Sequence, residues 1–220
     1  MARSFTLSEL HTRARYASDM VGNPFIEEAE LTQYINDSIT ELYDLLVGAY
    51  GEEYYLTEVT GQATGLTDAY DLPVDFYKLA GVDSNLGASS TSDYVPMRKY
   101  NLRDRNNGNL NPSSGWAVKY RIRGNKIVFT PPNSSFTYRL LYIPCATALV
   151  DMTDSFDGIN GWEEYVVVDA AIKMLQKEES DTSELYRRKR DLMSRIEAMA
   201  VNRDTGECDT ITDVSSDRYY

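Results

Sequence analysis

The spacing of apolar residues in this chain changes period twice. Leu31, Tyr34, Ile35, Ile39, Leu42, Leu45 and Leu46 recur three and four residues apart. Trp116, Val118, Tyr120 and Ile122 recur every second residue, and from Tyr165 the longer spacing returns through Val168, Ile172 and Leu175. A helix buries a stripe of period 3.6 and a strand buries a face of period 2, so one element type cannot serve all three stretches. The pattern predicts an α+β protein. The expected arrangement is a helical bundle of N- and C-terminal helices (1–53 and 158–202), with a β-rich antiparallel insertion at 54–157 and an extended C-terminal tail over 203–220.

Local signals punctuate this plan. Thr6-Leu7-Ser8-Glu9 has capping-box spacing and opens a helix expected to reach about Met20, where Gly22-Asn23-Pro24 stops it. The second helix carries Glu27, Glu30, Asp37, Glu41 and Asp44 on its polar side and should run to Gly48 or Gly51. YDLPVDFYKLAGV holds a proline that cannot donate to a sheet ladder, so an edge strand or a bend is expected there. WAVKYRIR, Gly124-Asn125 and KIVFT read as a hairpin, followed by FTYRLLYIP as a third antiparallel strand with Phe136, Tyr138, Leu140 and Tyr142 on one face. In KEESDTSELYRRKRD the chain should break at Ser180-Asp181 and restart at an Asp181/Glu184 cap, with Leu185, Leu192, Ile196 and Met199 as the buried stripe.

The net charge of −12 speaks against a protein that coats DNA, because phosphate binding needs a surplus of Lys and Arg on the contact face. The charge is also unevenly spread. Ile26 to Asp93 holds fourteen acids and one base, net −13, whereas Arg98 to Lys126 holds eight bases and one acid, net +7. Such segments either pair one copy with the next or form solvated faces. Arg98, Lys99, Arg103, Arg105, Arg121 and Arg123 are thus candidate interface residues, and the same six would serve a DNA-binding factor. Seventeen tyrosines against six phenylalanines suit extensive interfaces, since tyrosine is amphipathic. Two distant cysteines, Cys145 and Cys208, suggest a reducing compartment, and neither a secretory signal nor an apolar run of the ~20 residues that span a bilayer is present.

Catalytic constellations are hard to assemble. The single histidine, His11, reads as a surface or capping residue, and no GxSxG elbow accompanies it. Cys145 reads as a small buried hydrophobe, and one His with two distant Cys falls short of a zinc ligand set. Asp151 to Gly158 lacks the distal Glu and glycine spacing of a calcium loop and reads as an Asx-rich turn. No phosphate-cradling glycine motif occurs, so no cofactor is expected. Arg187 to Arg190 lie among Glu178, Glu179, Asp181, Glu184 and Asp191 and read as a salt-bridged face. Arg187, Arg188 and Arg190 remain candidate interface residues if their partners belong to a neighbouring subunit.

Taken in order, TLSEL, AELTQYINDSITELYDLL, YDLPVDFYKLAGVD, YRIRGNKIVFTPP with LLYIP, VVVDAAIKMLQKEESD, and NRDTG followed by ITDV cover nearly the whole chain. In this order they resemble the head-to-tail adaptor, or head-completion, proteins of tailed bacteriophages, particularly of short-tailed phages. The resemblance implies a non-enzymatic virion protein: a homo-oligomeric ring, a dodecamer, docked under the portal protein after DNA packaging. It implies assembly in the host cytoplasm, a place at the head-tail junction, contact with tail nozzle or tail-tube proteins, and double-stranded DNA passing through without specific binding. The extended C-terminal segment, here Arg203 to Tyr220, is implied to reach toward the portal, which makes Ile211, Val214, Tyr219 and Tyr220 candidate contacts. A phage origin together with abundant carboxylates leaves a cell-wall glycosidase as the alternative.

Overall fold

A computed structural model describes residues 4–50, 55–86, 93–104, 118–130, 135–157 and 161–200. The chain opens with β1 (Ser4–Thr6), α1 (Leu7–Ala17) and α2 (Glu28–Tyr50). Next come β2 (Thr57–Thr64), β3 (Ala69–Asp71), β4 (Phe76–Ser84), β5 (Val95–Pro96), β6 (Arg98–Lys99) and a 3₁₀ turn at Leu102–Asp104. Then follow β7 (Lys119–Arg123), β8 (Lys126–Thr130), β9 (Ser135–Pro144), β10 (Ser155–Asp157), α3 (Glu163–Lys177) and α4 (Ser183–Ala200). The protein is α+β, and it divides into two compact units at 50/51 and 147/148.

In the first unit α3 packs against α1, α2 and α4, and α4 also meets α2. The sequence of α3 explains its position. Val166, Val167, Val168, Ala170, Ala171, Ile172 and Met174 are all buried, so apolar side chains surround nearly the whole helix rather than one stripe. α2 buries Leu31, Ile35, Ile39, Leu42 and Leu46 along one side, as its spacing predicts, and Gly48 lies within the helix. The capping box forms: Glu9 N–H donates to Thr6 Oγ1 at 3.2 Å and Thr6 N–H to Glu9 Oε2 at 2.8 Å. α1 stops three residues short of the expected Met20. Asp19 turns left-handed at φ 56°, and the Asp19 and Met20 amides donate back to Tyr16 O and Arg15 O, the Schellman pattern. The same pattern closes α3 through Glu179, φ 61°, whose amide and that of Ser180 donate to Gln176 O and Leu175 O. Beside α1, β1 pairs antiparallel with β10, Phe5 opposite Phe156.

The second unit is built from two four-stranded sheets, β2-β9-β4-β5 and β3-β8-β7-β6, antiparallel except where β6 runs parallel to β7. Their inner faces share one core: Ala63, Val82, Phe136, Tyr138, Leu140 and Tyr142 from the first sheet meet Val118, Ile127 and Phe129 from the second. The hairpin forms as predicted, with Arg123 opposite Lys126 across Gly124-Asn125. Gly124 alone of the two takes a positive φ, 59°, as a type II′ turn requires. Phe136, Tyr138, Leu140 and Tyr142 do share a buried face, but β9 joins β2 and β4 rather than continuing from β8. Pro73 marks the predicted bend, where the chain leaves β3 in one sheet for β4 in the other.

Candidate protein-interaction surface

Tyr120 of β7 packs against the core, so the pleat turns Lys119, Arg121 and Arg123 to the opposite face, where Lys119 and Arg121 are half-buried and Arg123 is exposed. The register then adds neighbours. Lys119 lies opposite Arg98 of β6, and Arg123 lies opposite Lys126 of β8. On this outer face the paired strands therefore present five cations, Arg98, Lys119, Arg121, Arg123 and Lys126, and among the described residues of these strands Asp71 of β3 lies on the same face. Asp71 is taken by Lys126 at 3.0 Å, and Arg121 Nη1 donates to Tyr100 O at 3.3 Å. Like charges directly opposite one another weaken a sheet, so this face is arranged at some cost to the fold. The other sheet shows the ordinary solution. There Arg139 lies between Asp83, at 2.7 Å, and Glu58, at 3.3 Å, under the Tyr94 ring, and the Asp83 hydrogen bond raises its pKa.

The basic run of α4 has a different environment. Arg187 pairs within its own helix with Glu184 at 2.6 Å, and Arg188 crosses to Glu164 of α3. Lys189 reaches Asp169 of α3 at 2.6 Å and Glu41 of α2 at 2.9 Å. Lys173 meets the same two carboxylates at 2.7 and 3.1 Å, and the Ser38 hydroxyl lies 2.6 Å from Asp169. Burial pushes the Asp169 carboxyl up, but hydrogen bonds from Lys173, Lys189 and Ser38 outweigh it and hold it below the usual carboxylate range. Burial likewise works against the charge on Lys189, and its bonds to Asp169 and Glu41 outweigh that too, raising its pKa. These acids and bases tie α2, α3 and α4 together. Arg190 has no polar partner among the described residues.

A family profile described as SU10 adaptor protein matches residues 5–209. The chain belongs to this family of phage head-to-tail adaptors. No curated protein matches the sequence. Membership makes the protein a structural adaptor of the phage virion, placed at the head-tail junction among portal and tail proteins. Among the described residues of the adaptor, no helix is long and apolar enough to cross a membrane.

Several sequence readings change in the adaptor structure. His11 is buried, not superficial: Nδ1 lies 2.8 Å from Glu28 Oε2 and Nε2 3.0 Å from Thr32 Oγ1, fastening α1 to α2. Cys145 is exposed rather than buried, because the chain leaves the sheet just after β9, anchored by Cys145 N–H to Asp75 O at 2.7 Å. Met199 is exposed and Leu185 half-buried, which narrows the α4 stripe to Leu192 and Ile196. Asp181 does take the free amide of Ser183, at 3.0 Å, but Glu184 turns to Arg187 instead of back to the cap. The Asx-rich turn is real, with Asp154 accepting the Val150 and Asp151 amides at 2.8 and 2.9 Å.

Of the interface candidates, Arg98, Arg121 and Arg123 share the basic face. Lys99 and Arg103 are exposed beside it, Lys99 at the register position of Tyr120 and Arg103 on the 3₁₀ turn. Arg105, Ile211, Val214, Tyr219 and Tyr220 lie outside the described residues. Lys119 and Lys126 were missed as site residues. The period-2 pattern of KYRIR with its two-residue turn already placed them on the face of Arg121 and Arg123.

Proposed function

We propose that the adaptor forms a closed homo-oligomeric ring, dodecameric as the resemblance to head-to-tail adaptors implies, that docks on the portal after DNA packaging. The ring offers the platform for nozzle or tail-tube proteins of a short-tailed phage and lets double-stranded DNA pass. It assembles in the host cytoplasm. In this reading the four helices form the bundle that frames the ring, the β-rich unit supplies a lateral contact, and the tail from Arg203 extends toward the portal with Ile211, Val214, Tyr219 and Tyr220 as contacts. The observation that carries the reading is the sheet face on which the strand register gathers Arg98, Lys119, Arg121, Arg123 and Lys126. A head-to-tail ring needs two different complementary patches on every subunit, and the acidic segment from Ile26 to Asp93 supplies a counterpart of opposite sign.

Native mass spectrometry of the adaptor mixed with its cognate portal tests the proposal. A complex carrying one adaptor ring per portal is expected. Persistent absence of any complex under assembly conditions would contradict it. If the basic face instead bound duplex DNA with a steep salt dependence, the face would be a nucleic-acid surface, and the lateral contact would have to lie elsewhere.

A further inference from the structure

Among the described residues only one side of β2 is paired. Its eight residues bind β9 in unbroken register, from Thr57 opposite Tyr142 to Thr64 opposite Ser135, and no strand lies on the other side. In an antiparallel ladder a residue sends its N–H and C=O to the same side, and alternate residues face opposite ways. Thr64 N–H donates to Tyr70 Oη at 2.9 Å and so points away from β9. Gln62, Thr60 and Glu58 follow at alternate positions, which leaves their backbone groups on the open edge with their side chains exposed.

Natural sheets blunt such an edge with charge, proline, bulges or brevity. The other open edges of this unit do so. β4 carries Lys78 and two register breaks, β5 is two residues long and ends in Pro96, and β3 has three residues. β6 and the end of β7 beyond it carry Arg98, Lys99, Arg121 and Arg123. β2 has no lysine, no proline and no bulge, and its single charge, Glu58, is held by Arg139 at 3.3 Å. Val59 shares the parity of Gly61 and Ala63, which face the core, yet it is 38% exposed. The core face of the sheet thus ends at this margin in an uncovered apolar side chain.

We propose that this edge receives the β2 strand of a second copy, antiparallel, about a two-fold axis through Thr60. Thr60 then lies opposite the partner's Thr60, Glu58 opposite the partner's Gln62, and Val59 opposite the partner's Gly61. This register engages all three free positions of both strands, for about six backbone hydrogen bonds. An axis one residue later sets Glu58 against the partner's Thr64, a position whose N–H Tyr70 already holds. An axis at Glu58 opposes two carboxylates. Among the described open edges of this chain, β2 is also the one regular strand long enough to match β2. A two-fold contact cannot join neighbours of a head-to-tail ring, so the pair is a state of the free adaptor, released before a ring closes. The pairing itself does not depend on ring formation.

A hydrogen-bonded antiparallel pair brings its Cα atoms to about 5.5 Å, within reach of a disulfide. In the full chain carrying Cys145→Ser and Cys208→Ser, Thr60→Cys should therefore give a disulfide-linked dimer with a mild oxidant. Gln62→Cys, at a position also exposed, should not, because the two copies of position 62 lie about 14 Å apart along the paired strands. Sedimentation equilibrium of the parent chain should show monomer and dimer in exchange. Thr60→Pro removes only an outward N–H, and Thr60→Lys sets like charges face to face, so each should leave monomer with unchanged circular dichroism. A parent chain that stays monomeric at every soluble concentration would overturn the proposal. So would equal crosslinking at positions 60 and 62, or a dimer that both Thr60→Pro and Thr60→Lys leave intact.

Discussion

Asp169 concentrates more of the fold's electrostatics than any other single side chain described. It is buried, and Lys173, Lys189 and Ser38 all converge on it from three helices. Asp169→Ala leaves two ammonium groups facing Glu41 alone, and removing one partner of a buried pair typically costs about 3–5 kcal/mol. Urea unfolding at neutral pH should show a loss of that order. The pH dependence has a fixed sign. The folded carboxyl titrates below its unfolded value of about 4, so its stabilisation is complete above that value and disappears as pH falls through the lowered one. The difference between Asp169→Ala and the parent should therefore shrink below about pH 4. Glu179 gives the opposite kind of prediction. It holds a left-handed φ of 61° that a side chain disfavours, so Glu179→Gly should stabilise by about 1 kcal/mol in thermal unfolding. The gain should be smaller for Asp19→Gly, since aspartate tolerates this region better than glutamate.

At the scale of elements, Gly61 on β2 decides how the first sheet packs. It lies opposite Tyr138, and a Cβ placed there would come within 2.3 Å of the tyrosine ring, which belongs to the shared core. Gly61→Ala must displace a buried aromatic side chain that also packs tilted against Phe129, ring centroids 5.0 Å apart, and a loss of about 1–3 kcal/mol with weakened near-ultraviolet dichroism is expected. Elements whose signals are local were readable in advance. The hairpin is specified by alternation and a two-residue turn within about a dozen residues, and the Thr6 capping box by four. What escaped reading depends on distant partners. β9 has the right face, yet its neighbours β2 and β4 lie far away in sequence, and nothing in FTYRLLYIP selects them over β8. The β1–β10 pair is three residues long and carries no periodic signal. His11 could not be placed because its partners Glu28 and Thr32 lie on another helix. The basic face was partly legible: Arg121 and Arg123 came from composition, Lys119 and Lys126 follow from the alternation of KYRIR and its turn, and only the register of Arg98 required the strand pairing.

At the scale of the whole molecule, opposite charges are segregated along the chain, and the adaptor role gives that segregation a use. The α4 bases are mostly consumed inside one subunit, by Glu184, Glu164, Glu41 and Asp169, and the β7 face is the basic surface we propose for a partner of opposite charge. Reversing Arg121 and Arg123 to Glu should thus weaken assembly far more than folding, read as loss of oligomer in sedimentation with an unchanged melting temperature. Unchanged assembly would show that this face meets solvent. The most direct measurement is a cryo-EM map of the virion neck. An adaptor predicts this chain as a closed ring directly beneath the portal, with the β7 face of each subunit against its neighbour or the portal. Density for the chain away from the head-tail junction, or a ring whose β7 faces all point to solvent, would contradict it.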